Sequence, residues 1–114
     1  MEILKEKRDD FFVYTLKGRL DTQSSPEFQS VLEEGFKNDE KKLIFDFKDL
    51  EYMSSAGLRT ILYAKKCIDS EEAEEGENEE IVKTGCLKLI NVSDEIMEVF
   101  TMTGFDEFLS INEE

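Results

Sequence analysis

Residues 43–66 read LIFDFKDLEYMSSAGLRTILYAKK and decide the class of fold. The run at residues 43–47 is apolar on both faces of a strand and rich in β-forming residues, which is typical of a central strand covered on two sides. We expect a buried parallel strand there, a turn at residues 48–51, and then an amphipathic helix. The apolar stripe of that helix consists of Leu58, Ile61, Leu62 and Ile68. Ser54 and Ser55 therefore lie at a helix N-terminus.

The sequence before this stretch predicts a hairpin followed by a helix. Residues 3–5 and 11–16 are β-rich runs separated by a polar block, which indicates two antiparallel strands joined by a tight turn. Ser24 and Pro26 are typical of a helix start, with the serine as N-cap. The helix should end at about residues 38–40. Its apolar face consists of Phe28, Val31, Leu32 and Phe36.

The sequence after residue 85 predicts one more strand and a third helix. Residues 86–92 favour a strand, and Ser93 is a suitable N-cap for a helix that ends at Gly104. We expect the inner face of this helix to consist of Ile96, Val99, Phe100 and Thr103. Residues 108–111 suggest a short edge strand. The order ββαβαβα(β) predicts an α/β fold, a mixed sheet with helices packed on it.

Composition restricts the possible functions. The chain has 114 residues, which suits a single domain over residues 1–114. It contains no histidine, which removes Ser-His and Cys-His nucleophiles and most zinc sites, so we expect no metal, cofactor or catalytic residue. The net charge of −14 disfavours binding to nucleic acid or to an anionic membrane. With no signal peptide in its N-terminal sequence, a cytoplasmic protein is expected.

Two further features have ordinary structural interpretations. Residues 69–80 contain eight acidic and no basic side chains, which predicts an acidic flexible loop at about residues 69–82. A solvated linker is the simpler interpretation, and an acidic docking arm or a mimic that blocks a nucleic-acid-binding protein is the alternative. Cys67 and Cys86 are expected to be unpaired thiols that serve as small core residues in a reducing compartment.

The serine turn at residues 54–57 is the segment that suggests chemistry. Backbone amides in the first turn of a helix and the positive end of its dipole stabilise negative charge, so a phosphate on Ser54 or Ser55 would be well tolerated. Ala56 and Gly57 carry almost no side chain, which would let a partner approach the hydroxyl closely. A serine before Ala-Gly-Leu is, however, also a good N-cap without any further role.

The whole segment resembles the STAS domain family, and specifically the bacterial anti-sigma factor antagonists. The matching residues are those at 18–21 (GRLD), at 43–47 with Leu50 and 52–53, the turn at 54–58, and the strand at 87–89. The resemblance covers nearly the whole chain outside the acidic loop. It implies a mixed sheet of four to five strands packed against three to four helices.

The resemblance also implies a switch. A serine kinase, which is itself the anti-sigma factor, would phosphorylate one serine of the turn, and a metal-dependent serine phosphatase would remove the phosphate. Ser55 matches the phosphorylated serine, and the unphosphorylated form would bind the anti-sigma factor and free a sigma factor. Where the best-known antagonists have an aspartate before the acceptor, this chain has Ser54. Ser54 therefore remains an alternative acceptor, or the cap that orients its neighbour.

Three charged residues near the turn have both a functional and a structural interpretation. Asp21 matches a family position that would contact the kinase or its nucleotide, although a loop aspartate often only stabilises a turn. Asp46 could orient the serine turn through backbone amides. Arg59 could pair with an acidic partner or with the phosphate, or remain solvated. The expected partner surface thus comprises Asp21, Ser54, Ser55, Ala56, Gly57 and Arg59.

Two other functions remain open. The domain could be a STAS subunit of another signalling or transport assembly that binds through the same turn without phosphorylation. It could also be an enzyme with Ser55 as nucleophile, but neither a histidine nor a lysine lies close in sequence to activate that hydroxyl.

Overall fold

A computed structural model describes residues 1–73, 85–107 and 109–112. The five strands are β1 (Glu2–Arg8), β2 (Phe11–Leu20), β3 (Lys42–Met53), β4 (Cys86–Ile90) and β5 (Ser110–Ile111). The three α-helices are α1 (Ser25–Lys37), α2 (Ser55–Ala73) and α3 (Asp94–Thr103), and a 3₁₀ turn follows at Phe105–Glu107. The predicted order of elements is confirmed.

The strands form one mixed sheet in the order β1-β2-β3-β4-β5. β1 runs antiparallel to β2, as the predicted hairpin requires, and the other neighbours are parallel. β3 is the central strand, and Leu43, Phe45 and Phe47 are at most 1% exposed. The predicted fold class, a mixed sheet of four to five strands packed against three to four helices, is therefore confirmed, with five strands and three α-helices present.

The core lies between the sheet and the helices. Tyr14 and Phe45 are paired in register and point to the same face, where their rings meet Phe28 of α1. The three rings pack edge to face with centroids 5.2–6.2 Å apart. The stripe of α2 contributes Leu58, Ile61 and Ile68, each at most 5% exposed.

A buried carboxylate closes the end of α1. Glu40 accepts a hydrogen bond from the Tyr14 hydroxyl at 3.0 Å and an ion pair from the Lys5 ammonium at 2.8 Å. Gly35 makes room for this group, because a Cβ there would lie 2.6 Å from Glu40 Oε1 and 2.9 Å from the Tyr14 oxygen. Burial and the neighbouring Glu40 carboxylate raise the pKa of Tyr14 above its ordinary value.

Several local predictions differ from the structure. The residues predicted as a turn, 48–51, belong to β3, because Leu50 and Met53 are buried while Lys48 and Asp49 point to solvent. Thr103 is exposed, although Ile96 and Phe100 form the inner face of α3 as predicted. Ser24 precedes α1, but its hydroxyl donates to the carbonyl of Arg19 at 2.7 Å instead of capping the helix.

The predicted acidic loop is only partly within the structure. The backbone of residues 69–73 continues α2, so the helix extends further than the sequence predicted. The remainder of residues 69–82 and Phe108 lie outside the described residues. Cys67 and Cys86 are free thiols. In the described part of the chain, no helix is long and apolar enough to cross a bilayer.

Candidate functional site

The serine turn follows β3 at the edge of the sheet where the parallel strands end. Ser54 is half-buried between β3 and α2, and Ser55, the first residue of α2, is exposed. The amide of Ser54 donates to the carbonyl of Leu20 at 2.9 Å, and its hydroxyl accepts from the amide of Gly57 at 3.3 Å. Ser54 thus caps the helix, and Ser55 presents its side chain to solvent.

The glycine of this turn has an internal role. Gly57 is buried, and a Cβ at this position would lie 2.8 Å from both the Cγ and the carbonyl oxygen of Leu20. No such approach occurs between ordinary side chains and backbone, so only glycine fits. Gly57 was expected on the partner surface, but the structure places it under that surface. Ala56 is half-buried beside it.

Asp21 organises the loop that contacts the serine turn. Its Oδ1 accepts from the amides of Gln23 at 3.0 Å and Ser24 at 3.1 Å, and its carbonyl accepts from the amide of Ser25 at 2.9 Å. The Ser24 amide is the largest cause that holds the pKa of Asp21 below its ordinary value, and the Gln23 amide adds to it. Asp21 therefore stabilises the loop as an anion, while its side chain stays 31% exposed.

A stacked pair next to this loop was not predicted. The Arg19 guanidinium lies 4.3 Å from the centroid of the Tyr52 ring, and its Nε lies 3.9 Å from Asp21 Oδ2. Both side chains are exposed, Tyr52 by 41%. No local pattern in the sequence predicts this contact, because it depends on the shifted register that places Arg19 opposite Tyr52. Stacked Arg and Tyr side chains are common anchors in protein interfaces.

The other two charged residues that the sequence singled out, Arg59 and Asp46, lie on different elements, α2 and β3. Arg59 is exposed on α2, one turn after Ser55, and lines an open groove of about 490 Å³ between α1 and α2. Asp46 does not contact the serine turn. Its Oδ1 instead accepts from the Lys48 amide and from the Asn91 side chain, both at 3.0 Å. Asp46 was expected to orient the serine turn. Its side chain instead faces Asn91, which follows the end of the neighbouring strand β4.

The described residues contain no cluster of side chains that could hold a metal ion. Across residues 1–73, 85–107 and 109–112, no three His, Cys, Asp or Glu side chains come together as ligands of a metal ion. The polar groups at the site are instead hydroxyls, carboxylates and two guanidinium groups on an exposed rim. Such a surface suits contact with another protein.

Comparison with known proteins identifies the family of the chain. The model of the STAS domain family matches residues 2–74, which include β1–β3, α1 and the serine turn. The chain belongs to the STAS domain family. This membership confirms the resemblance seen in the sequence.

Similar proteins carry the name of one class within the STAS family. The chain is 24% identical over 106 residues to an anti-sigma-B factor antagonist of Staphylococcus aureus, covering 93% of this chain and 87% of the relative. An anti-sigma factor antagonist from Mycobacterium paratuberculosis has a TM-score of 0.77 at 17% identity, covering 99% of this chain and 86% of that one.

Two more solved structures share the fold. The Bacillus cell fate determinant SpoIIAA in its phosphorylated form has a TM-score of 0.70 at 19% identity, covering 99% of this chain and 93% of that one. A sulfate transporter family protein from Wolinella succinogenes has a TM-score of 0.69 at 14% identity, with 93% and 80% covered. The STAS fold is thus shared by proteins of different names, and the fold alone does not select the function.

Proposed function

We propose that this domain is an anti-sigma factor antagonist whose binding to its partner is switched by phosphorylation of Ser55. The observation that carries the proposal is the arrangement of the serine turn, in which Ser54 caps α2 and Ser55 is exposed. The names of the relatives support the class, and the resemblance of residues 54–58 to the phosphorylated turn supports the residue.

In the proposed cycle the domain is a substrate and has no catalytic residue of its own. The partner kinase transfers the γ-phosphoryl group of ATP to Ser55 Oγ, with loss of the hydroxyl proton and release of ADP. A metal-dependent serine phosphatase hydrolyses the ester and restores the hydroxyl. Both enzymes would act on the protein in the cytoplasm.

The physical basis of the switch is charge. A phosphoserine carries about −1.5 to −2 charges at neutral pH, and placing it at the centre of a contact surface imposes like-charge repulsion and a desolvation cost. We therefore expect the unphosphorylated form to bind the anti-sigma factor and the phosphorylated form to release it.

The proposed partner surface combines the predicted residues with the stacked pair. Ser55, Asp21 and Arg59 reach solvent around the turn, and Arg19 with Tyr52 extends the surface along the ends of β2 and β3. Ser54 acts from within this surface as the cap. Because Arg and Tyr dominate many interfaces, the stacked pair should contribute strongly to affinity.

The test is to incubate the protein with its cognate kinase and ATP and to map the phosphate by mass spectrometry. Wild type and Ser54→Ala should be modified at Ser55, and Ser55→Ala should not be modified. If phosphate were found on Ser54 alone, Ser54 and not Ser55 would be the acceptor. Absence of phosphate at both serines would contradict the proposal and favour a STAS subunit that binds without phosphorylation.

A further inference from the structure

The groove between α1 and α2 is lined mainly by hydrogen-bond donors. One wall consists of Thr22, Ser25, Pro26, Gln29, Ser30 and Glu33, and the other of Ala56, Arg59 and Thr60. Arg59 is the cation among the described residues that line it. Four hydroxyls, an amide and a guanidinium can donate to an oxyanion in this groove, and the Glu33 carboxylate is the one group among its described lining residues that opposes an anion.

One hydroxyl of this groove lacks a partner. Ser25 is only 5% exposed, and its Oγ is the buried side-chain oxygen or nitrogen for which the described residues provide no hydrogen bond. Buried polar atoms in folded proteins nearly always have a partner, so this hydroxyl in the wall of an open groove can donate to a group that enters the groove. This observation is independent of the helix N-terminus nearby.

The first turn of α2 supplies further donors on the same side. The amide of Ser54 is bonded to Leu20 and that of Gly57 to the Ser54 hydroxyl, whereas the described residues offer no acceptor to the amides of Ser55 and Ala56. Arg59 follows Ser55 by four positions, so the two share one face of the helix. Because helical side chains lean toward the N-terminus, the Arg59 side chain can reach a phosphate on Ser55.

Resting on the proposed function, we propose that the phosphate on Ser55 is held within the same molecule by Arg59 at the mouth of this groove. The guanidinium forms a charge-assisted pair with the phosphate oxygens, and the free amides of the first turn add to it. Phosphorylation then does more than repel the partner. It also takes Arg59 away from the surface that the partner meets.

The charges around the proposed pair come from each neighbouring element. On α1, Glu33 lines the groove and Glu27 lies on the adjoining cleft. The loop before α1 contributes Asp21, and β3 contributes Glu51. These carboxylates oppose ionisation of the phosphate, and Arg59 favours it. If replacing Arg59 changes the second pKa of the phosphate, the change reports the ion pair and not the surrounding carboxylates, which remain in place.

The test uses full-length protein in which phosphoserine is incorporated at position 55 during synthesis, so that no kinase is needed. The second pKa of a phosphoserine, ordinarily about 6, is measured by phosphorus NMR. We expect Arg59→Gln to raise this pKa by roughly half a unit, the size typical of an exposed ion pair. Lys66→Gln removes the same charge from an exposed position further along α2 and should leave the pKa unchanged.

A second control places phosphoserine at position 54, five positions before Arg59, where the substitution should have no effect. An unchanged pKa in the Arg59→Gln protein with phosphoserine 55 would overturn the proposal. Because Arg59 also belongs to the proposed partner surface, we expect the same substitution to weaken partner binding of the unphosphorylated chain, and unchanged binding would contradict the removal of a partner contact by the phosphate. Failure of the cognate kinase to modify Ser55 would contradict the proposed function and leave this titration interpretable.

A measurement without phosphoserine covers the case in which the modified chain does not fold. Urea unfolding of Ser55→Glu, Arg59→Gln and the double variant gives the coupling between the two positions. A stabilising coupling supports the pair, and a coupling of zero overturns it.

Discussion

The amide of Ser54 donates to the carbonyl of Leu20, and this 2.9 Å hydrogen bond ties the start of α2 to the end of β2. Gly57 packs on the same Leu20 from one turn further along the helix. The serine turn and the Asp21 loop are therefore held as one unit. A contact made at either segment meets a surface whose backbone is already in place, which lowers the entropic cost of binding.

We predict that Gly57→Ala destabilises the protein. On helix propensity alone, alanine at a helical position would stabilise by up to about 1 kcal/mol. The new Cβ would, however, lie 2.8 Å from the Leu20 carbonyl oxygen, which is backbone and cannot rotate away. Overpacking of this kind costs about 1–3 kcal/mol, to be measured by urea unfolding. A more stable Gly57→Ala protein would contradict the close packing.

Asp21→Asn should lower stability in a pH-dependent way. The substitution keeps an acceptor oxygen and removes the charge that the Ser24 and Gln23 amides stabilise. Because the pKa of Asp21 is lowered on folding, its contribution is complete above the ordinary value of 3.8 and is lost as pH falls through the lower folded value. The difference in unfolding free energy between wild type and variant should thus be larger at pH 7 than at pH 3. A constant difference would contradict the role of the charge.

The Tyr14 hydroxyl should be needed for stability. Tyr14→Phe removes the donor to the buried Glu40 carboxylate, and leaving a buried charged acceptor without its partner costs about 1–3 kcal/mol. Lys5→Gln breaks a half-exposed ion pair to the same carboxylate and should cost at most about 1 kcal/mol. Equal effects of the two substitutions would contradict this ranking.

Two tyrosines should also make the protein sensitive to alkaline pH. Burial raises the pKa of Tyr63 to about 12, with contributions from Cys67 and Glu33, and burial raises that of Tyr14 as well. Both groups favour the fold below the ordinary value of 10.0, and their contribution falls as pH rises above it. Tyr14→Phe should therefore reduce the loss of stability between pH 9 and pH 11, measured by urea unfolding. If Tyr14→Phe lost as much stability as wild type between pH 9 and pH 11, Tyr14 would not be a cause of the alkaline sensitivity.

The stacked pair should matter for binding more than for folding. Tyr52→Ala should weaken binding to the anti-sigma factor by roughly tenfold or more, because exposed aromatic and Arg side chains are frequent anchors. Leu4→Ala is the matched control, since Leu4 is exposed to a similar extent, 43% against 41%. It lies on the outer strand β1, away from the serine turn. If titration calorimetry showed the same loss of affinity for Tyr52→Ala and Leu4→Ala, the stacked pair would not belong to the partner surface.

The sequence predicted those features that depend on local pattern. The buried strand at 43–47, the serine-capped start of α2 and the αL residue Gly104 each follow from neighbouring residues, and the structure contains all three. The continuation of β3 through residues 48–51 was missed because its polar residues imitate a turn, whereas pairing with β2 keeps it in the sheet.

Long-range contacts account for the other differences. Asp46 bonds to Asn91, 45 positions away, and Gly57 packs on Leu20, 37 positions before it. Arg19 and Tyr52 meet only because a register shift in the parallel pair brings them opposite each other. These contacts join residues that are far apart in the sequence, so no short segment reveals them. The residues of the site could therefore be predicted more fully than the contacts between them.

The most direct test of the central claim is the affinity of the purified anti-sigma factor for three forms of this protein. These are the unphosphorylated wild type, Ser55→Asp, and Asn38→Asp, which adds the same charge at the far end of α1. We predict that Ser55→Asp weakens binding at least about tenfold, whereas Asn38→Asp binds like wild type. Binding of Ser55→Asp as tight as that of wild type would contradict the switch.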